Sequence, residues 1–524
     1  MDPDMMRRTL FTGDFKMEPT RKSRIKNIIL CVLFLCLFVK TFTFITYLFR
    51  DTDTDRLRIL GLKQEKDLDM IYVGSSSAIC YWQPLKAWND CGFTSYMYAT
   101  NSLQADGSEY YIREALRTQD PTLFVVELRS YVAWTDEVYD LGLRNGSDSM
   151  GLSSPVRWKY IYDYMQKRAN TEEADVGSFY FDIAKYHTNT ERLGEEDQWK
   201  YSNNKAVFDN KGWEWFEQYD CLEEPVGFLT EERGEVPSKC VEALESLLAY
   251  CDDKQLDVLF VVSPKVLDKE EQAIYNSLKD IVEGRGYQYW NANEHYAEIG
   301  LDFSKDFFNG NHTNCFGAEK YTRFLEDYIA EHYDMPDHSG DEEYAEWSEE
   351  YKRFAEEEKA CKEAVTKMQE EYDERLKIAE EIRQTQDFAQ WYVLVSDPTY
   401  TLLLAQKGTG VSVDSYEHKK VLETWDISAD STNGIRVVCG SDVAYSNAVT
   451  HETTYEGSIY RPLWYLTWSY SIDNTDGKAS ITVSGEEYSR VGEGINIVVL
   501  DHKTGTVADC VTVKIAEGEL IVER

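Results

Sequence analysis

The sequence predicts an α/β protein. In chain order, it consists of a membrane helix, a region with a parallel sheet, a long charged helix and a β-rich region. Three observations predict this arrangement. An apolar run occupies residues 27–49, short apolar runs alternate with helical patterns over residues 50–335, and β-type runs dominate residues 388–524. Alternation of strand-like and helical segments is the pattern of a layered α/β fold, in which helices cover a mostly parallel sheet.

The apolar run at residues 27–49 is about long enough to cross a bilayer as one helix. Arg and Lys dominate positions 21–26 before it, and Asp51 and Asp53 follow it. The positive-inside rule then predicts a cytoplasmic tail at residues 1–26 and an extracellular location for the rest of the chain. A cleaved signal peptide is the alternative, but the run is too long for one and no small-residue cleavage site follows. We therefore expect a single-pass cell-membrane protein.

Charge and cysteine usage argue against two broad classes of function. The 524-residue chain carries a formal net charge of −39, which argues against a nucleic-acid ligand because phosphate binding needs a basic surface. Of the eleven cysteines, two lie in the apolar run, and the others show neither Cys-x-x-Cys spacing nor a paired histidine motif. The sequence therefore predicts no metal site and no cofactor.

Residues 50–335 contain the predicted parallel sheet. Continuous apolar runs joined by helices are typical of such a sheet when both of its faces are covered. The strands are predicted at Asp69–Val73, Thr122–Leu128 and Val258–Val262, and the helices at Ser108–Arg117, Cys240–Asp252 and Ala318–His332. Sheets of this kind bind ligands at the carboxyl ends of their strands. The segment Gly74-Ser75-Ser76 lies at such an end and is the first candidate site.

Residues 336–387 form a predicted helical connector. Over residues 341–387, apolar residues recur at alternating spacings of four and three, which is a heptad pattern of about five repeats. Glu358 and Arg375 interrupt this apolar seam. Two interpretations stay open: a coiled coil that makes a homodimer, or one amphipathic helix lying against a neighbouring domain.

From Phe388 onward the sequence is β-rich with little helix. Strands are predicted at Thr401–Ala405, Ile435–Val438, Ala479–Ser484, Ile495–Leu500 and Val507–Val513, separated by turn signals. Aromatic residues are dense in this region: Trp391, Tyr392, Trp425, Trp464, Trp468 and Tyr470. Such residues can stack on sugar rings, and they also fill small β cores, so both interpretations stay open.

Two polar segments far apart in the sequence suggest a serine-nucleophile site. The first is Gly74–Ser77, after the first predicted strand, and the second is Asn309–Asn314, which contains His312. A serine hydroxyl becomes a good nucleophile when a histidine removes its proton and a third group holds the histidine in the right tautomer. A loop after a parallel strand can also direct backbone N–H groups at an oxyanion, and Gly74 permits close backbone approach there.

The joint pattern resembles the first and last motif blocks of the SGNH/GDSL hydrolase superfamily. The first block corresponds to Val73–Ser76 and the last to Asp306–Thr322, in which His312 precedes the last predicted helix. More closely, residues 50–335 resemble the membrane-anchored branch that O-acetylates or D-alanylates surface polymers beside a membrane-bound O-acyltransferase. The resemblance implies a three-layer fold with a parallel sheet, and an extracellular serine acyl-ester enzyme that acts on cell-surface polysaccharide.

The resemblance also implies roles for individual residues. Ser76 would be the nucleophile and His312 the general base, with Gly74 and Asn101 in the oxyanion or substrate region. The family places an acid three residues before the histidine, where this chain has Asn309. An asparagine oxygen can accept the Nδ1–H bond of a histidine, but it adds no charge to stabilise the imidazolium.

The asparagine leaves three interpretations of the site open. In the first, Ser76 and His312 act as a weak dyad. In the second, a nearby carboxylate such as Asp306 or Asp302 completes a triad. In the third, the domain is a catalytically degenerate glycan-binding or scaffolding protein. We expect serine acyl-ester chemistry, with the degenerate protein as the alternative.

A second resemblance covers residues 388–524. The segment Arg490–Asp501, followed by Thr504, Gly505 and Asp509, is similar to the interleukin-like EMT inducer domain, a lectin-like β module. The resemblance implies carbohydrate binding, and it assigns no individual ligand residues. A cell-surface glycan and a membrane-bound O-acyltransferase are therefore the expected partners of the chain.

Overall fold

A computed structural model describes residues 21–50, 54–148, 150–194, 209–408, 412–431, 433–447, 454–461, 466–475 and 478–524. The first helix, α1 (Arg21–Phe49), contains the apolar run. Its segment Arg24–Phe49 is long and apolar enough to cross a membrane. The predicted N-terminal apolar helix is therefore present, whereas its orientation in a membrane stays a prediction. Most of the tail predicted at residues 1–26 lies outside the described residues.

The main sheet has five parallel strands: β1 (Met70–Gly74), β2 (Ser95–Ala99), β3 (Leu123–Glu127), β4 (Val258–Val262) and β5 (Gln288–Asn291). Their order across the sheet is β2-β1-β3-β4-β5. Every residue of β1 to β4 is buried, so the sheet is covered on both faces. All three predicted strands are present, and the predicted parallel α/β fold is confirmed at this level.

Two strands of the sheet, β2 and β5, lie outside the predicted set. β2 reads Ser-Tyr-Met-Tyr-Ala and β5 reads Gln-Tyr-Trp-Asn, so polar groups interrupt the apolar run that marks the other strands. The chain passes from β1 to a neighbour on one side and then returns to β3 on the other side. The sheet therefore has a topological switch point between β1 and β3, which is where ligand sites form in sheets of this type.

Helices surround the sheet and connect its strands. In chain order they are α2 (Thr54–Leu62), α3 (Ser76–Ile79), α4 (Pro84–Cys91), α5 (Ser108–Ala115), α6 (Asp140–Asp148), α7 (Pro155–Gln166), α8 (Val176–Tyr180), α9 (Ile183–Tyr186), α10 (Ser238–Lys254), α11 (Lys269–Gly284), α12 (Tyr296–Ile299) and α13 (Cys315–His332). The three predicted helices correspond to α5, α10 and α13. A two-stranded hairpin, β6 (Phe307–Asn309) and β7 (His312–Thr313), directly precedes α13.

A 40-residue helix, α14 (Ala345–Gln384), follows the sheet region. Its apolar seam packs within the chain: the ring centroids of Trp347 and Trp88 are 5.4 Å apart, and those of Phe354 and Trp215 are 4.7 Å apart. This is the packing expected of the second interpretation, an amphipathic helix lying against a neighbouring domain. A homodimer through the same helix stays a prediction.

The two interruptions of the α14 seam form ion pairs within the chain. Glu358 is buried, and its Oε1 lies 2.9 Å from Lys362 Nζ. Arg375 donates from Nε to Asp501 Oδ2 at 2.8 Å and from Nη2 to Thr399 Oγ1 at 2.9 Å. The second set of contacts joins α14 to the C-terminal region, so the charged seam residue fixes where the helix lies.

The C-terminal region is β-rich, as predicted, and its described residues also include two helices, α15 (Phe388–Val395) and α16 (Tyr416–Thr424). Its strands are β8 (Tyr400–Lys407), β9 (Gly434–Cys439), β10 (Asp442–Asn447), β11 (Thr454–Arg461), β12 (Leu466–Asp473), β13 (Ser480–Val483), β14 (Glu486–Glu487), β15 (Gly494–Asp501), β16 (Val507–Ala516) and β17 (Glu519–Glu523). They form two antiparallel sheets, one ordered β10-β9-β8-β15-β16-β17 and the other β11-β12-β13-β14.

Several aromatic residues of this region fill its core. Trp391 and Trp425 are fully buried in one cluster, and Tyr470 is buried in a second. The indole Nε1 of Trp391 donates to Asp509 Oδ2 at 2.9 Å, which satisfies its polar tip inside the core. The core-filling interpretation therefore applies to these three residues, while Trp464 lies outside the described residues.

A buried charge cluster attaches the end of α1 to the globular part of the chain. Arg50 donates from Nη1 to the carbonyl oxygen of Asp148 at 2.7 Å and forms an ion pair with Asp182. Asp182 Oδ1 also lies 2.5 Å from Arg157 Nη2. The side chain of Asp148 also lies 3.5 Å from Arg157 Nη2, and all four side chains are at most 1% exposed, so two carboxylates balance two guanidinium groups away from water.

We expect Asp182→Asn to destabilise the chain, because it removes a negative charge that two buried guanidinium groups share. Breaking a buried ion pair in this way typically costs about 3–5 kcal/mol of unfolding free energy. Thermal unfolding of the full chain in detergent should show a clearly lowered Tm. Asp280→Asn, which breaks an exposed pair with Arg233, is the control and should leave the Tm nearly unchanged. Equal effects of the two substitutions would contradict this role for the cluster.

Candidate active site

The serine segment lies at the switch point of the sheet. β1 ends at Gly74 and its neighbour β3 ends at Glu127. β4, on the other side of β3, is followed directly by Ser263. Because the three strands are parallel and adjacent, the residues that follow them meet at one edge of the sheet.

The serine cluster begins a short helix at this edge. Ser75 is the N-cap residue of α3: its backbone is extended, and its Oγ accepts a hydrogen bond from Ser77 N at 3.4 Å. Ser76 is the first residue of α3 and is only partly buried. Backbone N–H groups in the first turn of a helix have no intrahelical acceptor, so the Ser76 N–H is a donor beside its own hydroxyl.

The β6–β7 hairpin places His312 against Ser76. The distance from Ser76 Oγ to His312 Nε2 is 2.9 Å, and that from His312 Nδ1 to Asn309 Oδ1 is 3.0 Å. Asn309 Oδ1 also accepts a hydrogen bond from Asn311 N at 2.9 Å, which orients the amide oxygen toward the imidazole. In this arrangement Nδ1–H donates to Asn309 and Nε2 accepts from the serine hydroxyl. Ser76, His312 and Asn309 thus form a hydrogen-bonded chain with the connectivity of a catalytic triad.

Neighbouring side chains hold this hairpin in position. The hydroxyl of Tyr81 lies 2.7 Å from the carbonyl oxygen of Asn311, in the hairpin turn. The imidazole of His312 stacks on the ring of Phe308, with centroids 5.4 Å apart and planes 10° from parallel. The direction of the imidazole toward Ser76 is therefore fixed by packing as well as by its own hydrogen bonds.

The surroundings of His312 favour its neutral form. Burial and the nearby positive charges of Arg129 and Lys265 lower the pKa of His312 to about 3. The group bonded to Nδ1, Asn309, is uncharged and does not oppose this effect. A neutral imidazole with a proton on Nδ1 can accept the serine proton, but the imidazolium that results gains no ionic partner from Asn309.

A buried carboxylate that sequence reasoning missed lies beneath the serine cluster. One oxygen of Glu127 accepts hydrogen bonds from Ser77 Oγ and from Arg129 N at 3.1 Å, and the other accepts from Ser263 N at 3.3 Å and Oγ at 3.2 Å. Burial raises the pKa of Glu127. The sequence feature that could have identified Glu127 is its position as the one charged residue, and the last, of an otherwise apolar strand, Leu-Phe-Val-Val-Glu. Glu127 links the residues that follow all three adjacent strands.

The hydrogen-bonded chain opens onto a cavity of about 390 Å³, within the range of small-molecule sites. Its polar lining includes Ser102, Gln104, Arg129, Ser130, Lys265, Glu271 and Asn311. Lys265 Nζ is paired with Glu271 at 2.7 Å. Arg129 Nη1 instead donates to uncharged oxygens, those of Tyr81 at 3.0 Å and Ser263 at 3.2 Å.

Among the residues that the structure describes, no group of three or more His, Cys, Asp or Glu side chains is placed to hold a metal ion.

Asp306 and Asp302 bind partners other than His312. Asp306 is buried, and its Oδ2 accepts hydrogen bonds from Asp302 N at 2.7 Å and from Lys320 Nζ at 2.6 Å. Asp302 Oδ1 accepts from Ser304 Oγ at 2.6 Å. The structure therefore does not bring either carboxylate to the histidine. Asp306 instead supports the loop that precedes the hairpin.

The structure gives Gly74 a packing role and places Asn101 at the surface. A Cβ atom at Gly74 would lie 2.8 Å from the Cβ atoms of both Ala78 and Glu127, so a glycine lets α3 approach β3. Asn101 is exposed, and its carbonyl oxygen accepts a hydrogen bond from Asn145 Nδ2 at 2.9 Å. The segment that lines the cavity is the one that follows it, residues 102–104.

Comparison with protein-family models gives no match for this chain, and comparison with curated proteins gives no similar sequence.

Proposed function

We propose that this chain is a membrane-tethered serine acyl-ester enzyme of the SGNH/GDSL type, an O-acetyltransferase or esterase that acts on cell-surface polysaccharide. The observation that carries the proposal is the hydrogen-bonded chain from Ser76 through His312 to Asn309. The adjoining cavity and its place at the carboxyl ends of parallel strands also support it. With α1 in the membrane and the basic segment 21–26 in the cytoplasm, the site would face the extracellular side.

The proposed reaction has two steps and passes through an acyl-enzyme. Ser76 Oγ attacks the carbonyl carbon of the donor ester while His312 Nε2 takes the hydroxyl proton. When the tetrahedral intermediate collapses, the bond to the donor alcohol breaks and His312 returns the proton to the leaving oxygen. A sugar hydroxyl or water then attacks the acyl-serine. Its proton passes to His312, and Ser76 recovers a proton as it leaves.

Two groups are suited to stabilise the negative charge that develops on the acyl oxygen. The first is the backbone N–H of Ser76 in the first turn of α3. The second is the guanidinium of Arg129, which lines the cavity and lies close enough to His312 to lower its pKa. Positive charge at this place stabilises the negative charge on the acyl oxygen in the transition state. It destabilises the positive charge that develops on the imidazole at the same time.

Asn309 gives the proposed site orientation without charge. The Asp→Asn change at the equivalent place in a serine protease lowers turnover by roughly 10⁴, and much of that loss comes from the wrong histidine tautomer. In this chain the Asn311 N–H fixes the amide oxygen toward the ring, so the productive tautomer is retained. Only the charge is missing, and we propose a slow enzyme rather than an inert one.

The second candidate is a non-catalytic glycan-binding or scaffolding protein on the same fold. The low pKa of His312, about 3, favours it, because an imidazolium that is costly to form slows each proton transfer from an attacking hydroxyl to the histidine. In the C-terminal region, which resembles a lectin-like module, Asp501 and Asp509 are bound by Arg375 and Arg524. Glycan contacts in that region would therefore use other residues.

Three partners belong to the proposal. A membrane-bound O-acyltransferase would supply the acyl group, and a cell-surface glycan would receive or release it. A homodimer through residues 341–387 would use the outer face of α14, since the buried seam residues already pack within the chain.

Ser76→Ala is expected to reduce hydrolysis of an activated acetyl ester by at least about 10³-fold, because it removes the hydroxyl bonded to His312 Nε2. Release of the alcohol from the ester by the full chain in detergent measures the rate. Ser277→Ala on α11, whose hydroxyl bonds to the Gly234 carbonyl oxygen away from the cavity, is the matched control. Equal rates in wild type and Ser76→Ala would sink the enzymatic proposal.

Asn309→Asp is expected to raise kcat/KM for the same ester by about 10²-fold or more, because it supplies the charge that the imidazolium lacks. The carboxylate would also raise the pKa of His312 from about 3. The wild-type base is almost wholly neutral two or more pH units above that value, so its rate should be flat over about pH 5–8. In Asn309→Asp the rate should fall as the pH drops through the raised pKa. A variant with no gain and a flat profile would contradict the role given to Asn309.

A further inference from the structure

A cluster of exposed aromatic side chains lies on the helical part of the sheet region, away from the catalytic site. Trp158 and Tyr162 are one turn apart on α7, and Phe181 directly follows α8. They are 38%, 57% and 49% exposed, and the Trp158 and Phe181 rings are in contact, with centroids 5.7 Å apart. We call these three residues the aromatic face. Neither the proposed reaction nor the core uses them.

Helix α1 passes directly beside the aromatic face. The rings of Phe42 and Phe181 are in contact, with centroids 6.4 Å apart. A helix rises about 1.5 Å per residue, so Phe42 lies about 10 Å before Phe49, where the segment able to cross a membrane ends. Phe181 of the globular part therefore lies level with residues of α1 that are still inside its apolar segment.

The junction between α1 and the globular part fixes this level. Arg50, immediately after α1, is bound to the Asp148 carbonyl oxygen at 2.7 Å and paired with Asp182. One turn earlier, the Tyr47 hydroxyl accepts a hydrogen bond from Leu152 N at 3.2 Å. These contacts follow the helix without an intervening linker, so the globular part cannot move away from the membrane surface independently of α1.

We propose that the aromatic face lies in the interfacial layer of the same bilayer that α1 spans, as a second membrane contact of the chain. Tyr and Trp favour this layer because an apolar ring with a polar tip suits the headgroup level. Phe181, beside Phe42, would reach the upper acyl chains. The inference rests on the membrane insertion of α1 and not on catalysis. Two contacts instead of one would give the globular part a single tilt, and hold the catalytic cavity at a fixed height above the membrane.

The test uses the full chain in nanodiscs of brominated phosphatidylcholine, in which bromine atoms on the acyl chains quench nearby tryptophan fluorescence. Tyr162→Trp adds an indole on the aromatic face. The matched control, Val393→Trp, adds one at a position in the C-terminal region that is 71% exposed. We expect the fluorescence added by Tyr162→Trp to fall by about half relative to ordinary nanodiscs, and that added by Val393→Trp to stay constant.

A second, more conservative variant keeps the experiment informative if Tyr162→Trp disturbs folding. Trp158→Phe keeps an aromatic ring at its position and should reduce the fraction of the native fluorescence that brominated lipid quenches. Co-elution of the chain with nanodiscs reports insertion of α1, and ester hydrolysis reports catalysis, so each proposal can fail separately. Insertion without quenching of the indole at position 162, or equal quenching of the two added indoles, would overturn the second membrane contact.

Discussion

The candidate site depends on one hydrogen bond, between Ser76 Oγ and His312 Nε2, which joins residues 236 positions apart in the chain. Two local structures make it. The Ser75 N-cap turns the chain into α3 at the end of β1, so that Ser76 starts a helix at the sheet edge. The β6–β7 hairpin, bonded to Tyr81, brings the imidazole to the same edge. The parallel order of β1 and β3 supplies the edge itself.

Two side chains, Glu127 and Asn309, shape the electrostatics of the site, and they have different roles. Glu127 has a carboxyl side chain, but its two oxygens accept hydrogen bonds from Ser77, from Ser263 and from the Arg129 N–H, which joins the strand ends. Asn309 faces the histidine and carries no charge. The resulting site holds the histidine in a productive direction, while its positive charges favour an oxyanion over an imidazolium. This imbalance is the physical reason to expect slow chemistry.

The sequence predicted those elements whose pattern is purely local. Val258–Val262 is an uninterrupted apolar run and is a strand over those same residues, whereas β2 and β5 carry tyrosines and a tryptophan whose polar tips hide the pattern. Ser76 and His312 could be paired because both lie in motif blocks. Glu127 could not be placed, since one sequence does not show which strands are neighbours. The heptads of α14 likewise specify an apolar seam without specifying its partner, and the partner is the chain's own core.

Peptide mass spectrometry of the full chain, after reaction with an activated acetyl ester, tests directly whether Ser76 is a nucleophile that His312 activates. If Ser76 and His312 act as a nucleophile and its base, the acetyl group is recovered on the peptide that contains Ser76 and is lost in His312→Gln. An unmodified Ser76 in wild type, or the same acetylation in wild type and His312→Gln, would contradict the account.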